Sequence, residues 1–183
     1  MFRPFLGLIV VVALLVSVSG GGAGVAAAEE PQVCHVAGSP APKAVKVRTY
    51  EGTVPISGSL AQLPGAEVSF TVPSGTDAAL VTFSAGCRLK NASSGPSGAD
   101  DYVGVQVMLG TATAVGEPMR PIGVPLTPFC SDDSWAAYSV TYCGRVGPGT
   151  PWVRVYAYVI DGEGANTLQG ELLNWTLQVQ VLE

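Results

Sequence analysis

The chain has 183 residues, of which 48% are hydrophobic and 13% are charged, and its formal net charge is −5. This length suits one domain with a substantial hydrophobic core. With nine basic residues against 14 acidic ones, the composition excludes a basic surface dense enough to hold nucleic acid.

The first 28 residues have the pattern of a cleavable secretory signal peptide. Arg3 supplies positive charge, residues 6–18 form an apolar run, and the alanines at 26–28 offer a small-residue cleavage site. The apolar run is shorter than the ~20 residues that a helix needs to span a bilayer. We therefore predict an exported, secreted protein without stable membrane insertion. Loss of Arg3 would change the net charge from −5 to −6.

Beyond the signal peptide, period-two alternation of apolar and polar residues recurs along the chain, as is typical of half-buried strands. Residues 29–42 are rich in alanine and proline, and we expect an irregular N-terminal arm there, followed by one sandwich domain over 43–183. The predicted strands, in chain order, are 43–50, 54–59, 67–72, 78–85, 102–109, 135–142, 152–160 and 174–182.

Segment 110–128 interrupts this pattern with three glycines and four prolines. Proline inside a strand removes a ladder hydrogen bond, so the segment is either a long loop or two short edge strands.

No window shows sustained helical periodicity. The strand pattern predicts an all-β fold, an antiparallel β-sandwich of about eight to ten strands with jelly-roll or Greek-key topology. A closed barrel is the main alternative. The predicted core consists of alternate strand residues: Val45, Val47, Val68, Phe70, Val72, Val81, Phe83, Val103, Val105, Val107, Val153, Val155, Val159, Trp175, Leu177, Val179 and Val181.

Four cysteines follow the signal peptide: Cys34, Cys87, Cys130 and Cys143. An even count in an exported chain predicts two disulfides, and the chain has no Cys-x-x-Cys pair that would favour zinc instead. Three pairings can be drawn. Spacing alone slightly favours Cys130–Cys143, which would close a short loop across a hairpin.

Four stretches over residues 77–183 form a pattern that can be compared with known proteins. They are Val-Thr-Phe-Ser-Ala-Gly-Cys at 81–87, Val-Gly-Val-Gln-Val at 103–107, Phe-Cys at 129–130, and Gly-Pro-Gly-Thr at 147–150 before Val-Arg-Val at 153–155. In this order they resemble a loose group of uncharacterised secreted bacterial β-sandwich proteins. The resemblance implies a Cys87–Cys130 bridge, which leaves Cys34 to pair with Cys143. It implies no functional residues, because none is assigned in that group.

The side chains needed for catalysis are sparse. His35 is the only histidine, it lies in the proline-rich arm, and no Gly-x-Ser-x-Gly nucleophile motif is present. We therefore predict that the protein is not an enzyme.

Two acidic pairs are candidate calcium ligands. Asp100 and Asp101 end one predicted loop, and Asp132 and Asp133 lie in another. Loops of a sandwich gather at its ends, and calcium takes several carboxylate oxygens. The alternative is that these aspartates are solvated turn residues, so calcium is a candidate ligand and no other cofactor is expected.

An aromatic row is the strongest candidate binding feature. If the valines of strand 152–160 face the core, Trp152, Arg154, Tyr156 and Tyr158 share the opposite face, where aromatic rings could stack on sugars. Alternatively, segment 110–128 or a partner subunit covers this face. We therefore expect a non-enzymatic binding module for a glycan or a cell-surface protein, or, alternatively, a structural protein that forms homo-oligomers through a sheet face.

Overall fold

The structure is a computed structural model, and it describes residues 42, 44–72, 78–91, 101–112, 114–122, 128–162 and 168–182. Cys34, Asp100, the predicted signal peptide and nearly all of the predicted arm lie outside the described residues. Ten strands account for most of the described part: β1 (Ala44–Thr49), β2 (Thr53–Ile56), β3 (Ala61–Ser69), β4 (Ala78–Lys90), β5 (Tyr102–Thr111), β6 (Ala114–Pro118), β7 (Arg120–Pro121), β8 (Ala136–Gly144), β9 (Trp152–Ile160) and β10 (Gln169–Leu182).

The strands form two antiparallel sheets that enclose one hydrophobic core. Sheet A has the order β1-β10-β4-β8-β7, with β2 also paired to β10, and sheet B has the order β3-β9-β5-β6. Since β1 and β2 pair with successive parts of β10, they act as one interrupted strand. The chain then winds between the sheets in the order expected of a jelly roll. The predicted all-β antiparallel sandwich is thus confirmed. In the described ranges, no helix is long and apolar enough to cross a membrane.

The core lies between the two sheets and is built from alternate strand residues, because successive side chains of a strand point to opposite faces. Most of the predicted core residues are buried there: Val68, Phe70, Val72, Val81, Phe83, Val103, Val107, Val153, Val155, Val159, Trp175, Leu177, Val179 and Val181. Val105 is only partly buried and packs against the edge of this cluster.

The prediction for β1 was wrong about which face is buried. Val45 and Val47 are 48% and 56% exposed. Their register with β10 sets them beside Gln180 and Gln178, on the outer face of sheet A. Lys46 and Arg48 of the same strand are exposed as well. Charged side chains on an edge strand discourage pairing with other chains.

Segment 110–128 forms two short edge strands, which was the second of its two predicted alternatives. It contains β6, which pairs with β5 in sheet B, and β7, which pairs with β8 in sheet A. The described part of the proline-rich stretch therefore carries the chain from sheet B to sheet A.

A disulfide joins Cys87 of β4 to Cys130, across a Cα–Cα distance of 6.1 Å. Cys130 also forms an isolated bridge with Val103 of β5. The bond therefore ties sheet A to a segment that pairs with sheet B. The Cys87–Cys130 pairing is confirmed, and the spacing argument for Cys130–Cys143 was wrong because the pairing is set by non-local strand order. Cys143 is also disulfide-bonded, and its pairing with Cys34 stays a prediction.

A bulge in β10 coincides with the break between β1 and β2. The register of β10 against β4 shifts between Leu173 and Thr176, and Asn174 has a positive φ of 49°. Gly52, with φ of 116°, donates its N–H to Asn174 Oδ1 at 2.9 Å, while the Asn174 N–H donates back to the Gly52 carbonyl at 3.1 Å. The bulge turns Trp175 into the core.

Candidate functional site

The aromatic row occupies the middle of the outer face of sheet B. Trp152, Arg154, Tyr156 and Tyr158 are partly buried, and they alternate with fully buried residues along β9. This strand lies between β3 and β5, so the row runs along the centre of the sheet and not along its rim. The four side chains share a face as expected, and their role in binding stays a prediction.

Two glycines of the neighbouring strand β5 let the rings of Trp152 and Tyr158 lie flat against the sheet. Tyr158 is paired with Gly104 of β5, and Trp152 with Gly110. A Cβ atom at Gly104 would come within 2.5 Å of Tyr158 Cε2, and one at Gly110 within 2.6 Å of Trp152 Cε2. Real non-bonded carbons do not approach so closely, so each ring rests directly against the glycine backbone.

Trp152 is fixed by two further contacts. Its indole Nε1–H donates a hydrogen bond to the carbonyl of Thr111 at 2.9 Å, which satisfies its polar edge. The guanidinium carbon of Arg154 lies 4.1 Å from the ring centroid, within cation–π range. Trp152 is therefore a rigid end of the row.

Arg154 forms a two-point ion pair with Glu67 of β3. Its Nε donates to Oε2 at 2.9 Å and its Nη2 to Oε1 at 3.3 Å. The hydrogen bond from Arg154 lowers the pKa of Glu67, and the same bond raises the pKa of Arg154. Because the two charges cancel, the centre of this face is polar but carries almost no net charge.

The other half of the row is tyrosine flanked by amides. Tyr156 is opposite Gln62 of β3 and Gln106 of β5. Tyr102 meets Tyr158 edge to face, with ring centroids 6.4 Å apart. Burial raises the pKa of Tyr158, and the proximity of Tyr102 raises it further. The Tyr158 phenol therefore stays a neutral hydrogen-bonding group at physiological pH.

One spacing in the sequence indicates which glycines lie beside the aromatic row, although the alternation of apolar and polar residues does not show it. Gly104 and Gly110 are six residues apart, and so are Trp152 and Tyr158, so an antiparallel register that pairs one glycine with one ring also pairs the other two. Glu67, Gln62 and Tyr102 could not be placed beside β9 until the strand order was known.

The candidate calcium ligands are only partly described, since Asp100 lies outside the described residues. Asp101 is 1% exposed and accepts a hydrogen bond from the Gly162 N–H at 3.0 Å. Asp132 accepts one from the Tyr138 hydroxyl at 3.0 Å, and Asp133 is exposed.

Asp101 and Asp132, one from each candidate pair, both lie close in sequence to the ends of one bridge. Asp101 and Asp132 each lie two residues from the same isolated bridge between Val103 and Cys130. Within the described ranges, however, no three His, Cys, Asp or Glu side chains group as metal ligands. Calcium binding therefore stays a prediction that would require Asp100 as well.

A second aromatic side chain with charged neighbours lies on the outer face of sheet A and was missed from the sequence. Trp135 is 39% exposed, and the guanidinium carbon of Arg88 lies 4.6 Å from its ring centroid. Arg88 and Lys90 both bind the carboxylate of Glu171. These hydrogen bonds, that of Lys90 first, lower the pKa of Glu171. The charges of this cluster are thus largely satisfied among its own members.

No protein-family model and no curated protein matches the chain. A chain in the solved structure titled "Structure of infectious bursal disease virus Gx strain" is similar, with a TM-score of 0.41 and 10% sequence identity. The match covers 77% of this chain and 33% of that chain, so this chain spans about a third of that protein's length. A similarity this distant carries no information about what the protein binds.

Proposed function

We propose that the protein is a non-enzymatic binding module that acts outside the cell and takes a neutral glycan on the outer face of sheet B. The observation that carries this proposal is the seating of the Trp152 and Tyr158 rings on Gly110 and Gly104. Rings that lie along a sheet form a flat platform, and aromatic rings combine an apolar face with a polar edge, as stacking on a sugar requires. The Cys87–Cys130 disulfide is typical of an oxidising compartment and supports the extracellular location.

The length of the row favours a chain of sugars over a single one. From Trp152 to Tyr158 the strand advances by six residues, or about 20 Å at the usual rise of a β-strand. Tyr156 lies between these ends on the same face. An extended oligosaccharide that follows β9 could therefore contact all three rings at once.

The charge of the face favours a neutral ligand. Glu67 neutralises Arg154, and the whole chain has a net charge of −5, which would repel polyanionic glycans at a distance. The amides of Gln62 and Gln106 provide both donors and acceptors, which suits the hydroxyl groups of a neutral sugar.

The proposal is tested by affinity electrophoresis of the purified protein in gels that contain neutral or acidic polysaccharides. We expect retardation by at least one neutral polysaccharide, and a dissociation constant at least tenfold higher for Tyr156→Ala, equivalent to about 1.4 kcal/mol. Trp135→Ala, which removes an exposed ring that does not lie on sheet B, is the matched control and should behave as the wild type. Unchanged melting temperatures show that both variants are folded.

Two results would overturn the proposal. One is the absence of retardation by every neutral polysaccharide, and the other is equal retardation of Tyr156→Ala and wild type. The alternative function, assembly of copies through this same aromatic face, predicts instead an oligomer that Tyr156→Ala dissociates. Light scattering behind a size-exclusion column separates the two functions.

A further inference from the structure

The outer face of sheet A carries a patch of neutral polar side chains. Two adjacent rows cross three strands in register, one formed by Thr176, Ser84 and Ser139 and the other by Gln178, Thr82 and Thr141. These six residues are called the uncharged patch. Each is exposed or partly exposed.

The hydroxyl groups of the uncharged patch are already hydrogen-bonded to each other. Thr82 Oγ1 and Thr141 Oγ1 are 3.1 Å apart, and Ser84 Oγ and Ser139 Oγ are 2.8 Å apart. Burying a polar group is costly chiefly when it loses a hydrogen bond to water without replacement. This face can therefore be covered at a smaller cost than an equal area of unpaired hydroxyl groups.

Two exposed valines extend the patch along the edge of the sheet. Val47 continues the row of Gln178, and Val45 lies beside Gln180 on the same face. They are 56% and 48% exposed and are among the most exposed large hydrophobic residues described. Covering the patch would also remove their apolar surface from water, which is favourable.

We propose that a second copy of this chain packs against the uncharged patch, so that two sandwiches associate through their sheets A. The patch contains no charged side chain, and the cores of protein interfaces are depleted of charge in the same way. Two copies that each carry a net charge of −5 repel one another. A two-fold axis through the patch lets them meet without opposing like charges, because an isologous interface sets each surface against itself.

The area of the uncharged patch determines how tightly we expect two copies of the chain to bind. The patch is flanked by two more uncharged rows, one at Leu173 and Gly86 and the other at Gln180 and Leu80. Four strands spaced about 4.8 Å apart and these four rows of side chains, spaced about 6.8 Å apart, cover roughly 500 Å². Two such faces bury about 1,000 Å² in total, which is near the lower limit for a specific interface. The proposed dimer is therefore weak and depends on concentration.

This arrangement is independent of the glycan proposal, but it would have a consequence for it. With sheets A in contact, the two outer faces of sheets B point in opposite directions. A dimer would thus present two aromatic rows, one on each side, and could join two ligand chains.

The test is sedimentation equilibrium of the purified protein from about 10 µM to 1 mM, a range that brackets a weak dimer. We expect reversible dimerisation that strengthens with added salt, since salt screens the repulsion between copies and the patch has no ion pair to weaken. Val47→Glu and Gln178→Glu should each raise the dissociation constant at least tenfold. Gln106→Glu, which adds the same charge to the outer face of sheet B, should leave it unchanged.

Three results would overturn the proposal. The first is a protein that stays monomeric up to 1 mM. The second is a dimer that Gln106→Glu dissociates while Val47→Glu does not, since that places the interface on sheet B. The third is a dimer that salt weakens. The mutated side chains are exposed or partly exposed, and circular dichroism of each variant verifies that it is folded.

Discussion

Because the Tyr158 ring rests on Gly104, we predict that Gly104→Ala destabilises the wild-type protein but stabilises a Tyr158→Ala variant. Gly104→Ala would place a methyl group within 2.5 Å of Tyr158 Cε2, so the ring must leave the sheet. Overpacking of this kind costs about 1–3 kcal/mol. Glycine within a strand is itself less favourable than alanine by about 0.5–1 kcal/mol, which partly offsets the cost. We expect a net loss of about 0–2.5 kcal/mol.

In a Tyr158→Ala background the same substitution should stabilise the protein. No ring then opposes the new methyl group, and only the gain of about 0.5–1 kcal/mol from replacing glycine remains. The backbone at Gly104 does not have a positive φ, so alanine fits there without strain. The coupling energy between the two positions is therefore about 1–3 kcal/mol, within the range for residues in direct contact.

Urea denaturation of the wild type, the two single variants and the double variant measures this cycle. Gly147→Ala is a control, because a Cβ there meets no atom within 4 Å, and it should not couple to Tyr158. If Gly104→Ala destabilises both backgrounds equally, the ring does not rest on the glycine, and the platform geometry behind the glycan proposal is wrong. The single variant Gly104→Ala should also bind glycan less tightly, because its ring is displaced.

Three other predictions concern stability. Tyr142→Phe removes a hydrogen bond of 2.9 Å to the Val105 carbonyl and should lower the free energy of unfolding by about 1 kcal/mol. Burial raises the pKa of Tyr142, so above about pH 10 this phenol ionises more readily in the unfolded chain than in the folded one. Urea titrations should therefore show a loss of stability from this residue in the wild type and not in Tyr142→Phe. Replacing Cys87 and Cys130 by alanine opens a loop with a sequence separation of 43 and should lower the free energy of unfolding by about 4 kcal/mol, seen as a lower urea midpoint. Glu171→Gln should flatten the acid dependence of melting, because the lowered pKa of Glu171 contributes stability that is present above about pH 4.3 and is lost as pH falls.

Much of the fold could be predicted because period-two alternation is a local signal. The strands corresponding to β4 and β9 alternate in burial as expected. In β5 only Val103 and Val107 of the predicted inward residues are fully buried, whereas Val105 and Leu109 are partly buried. In β1 the alternation is equally clear, yet Val45 and Val47 face outward. Alternation shows that a strand has two different faces, but the register with a partner decides which face is covered.

The start of β10 was also misplaced, for a local reason. The strand was expected from residue 174 because the period-two alternation of apolar and polar residues begins there. The structure begins β10 at Gln169 and absorbs Asn174 in a bulge. A bulge keeps the strand continuous while it adds one residue, and the asparagine favours a left-handed backbone in a bulge as it does in a turn.

The candidate site divides in the same way between local and non-local information. The row of β9 could be predicted because its members are two residues apart on one strand. Its supports, such as Glu67 and Gly104, are distant in sequence and depend on the order β3-β9-β5. Trp135 was missed because the single ring precedes its strand and its partner Arg88 lies on another.

The pairing of β1 with β10 determines how the domain would respond to mechanical load. Ala44 pairs with Val181, so the two ends of the described domain leave side by side. A force that pulls these ends apart acts along the hydrogen bonds of an antiparallel ladder, which are perpendicular to the strands. The bonds would then break one pair at a time, as in unzipping, and the edge strand would detach first. A domain pulled by both ends would therefore unfold at low force, whereas a domain attached by only one end would experience no such force.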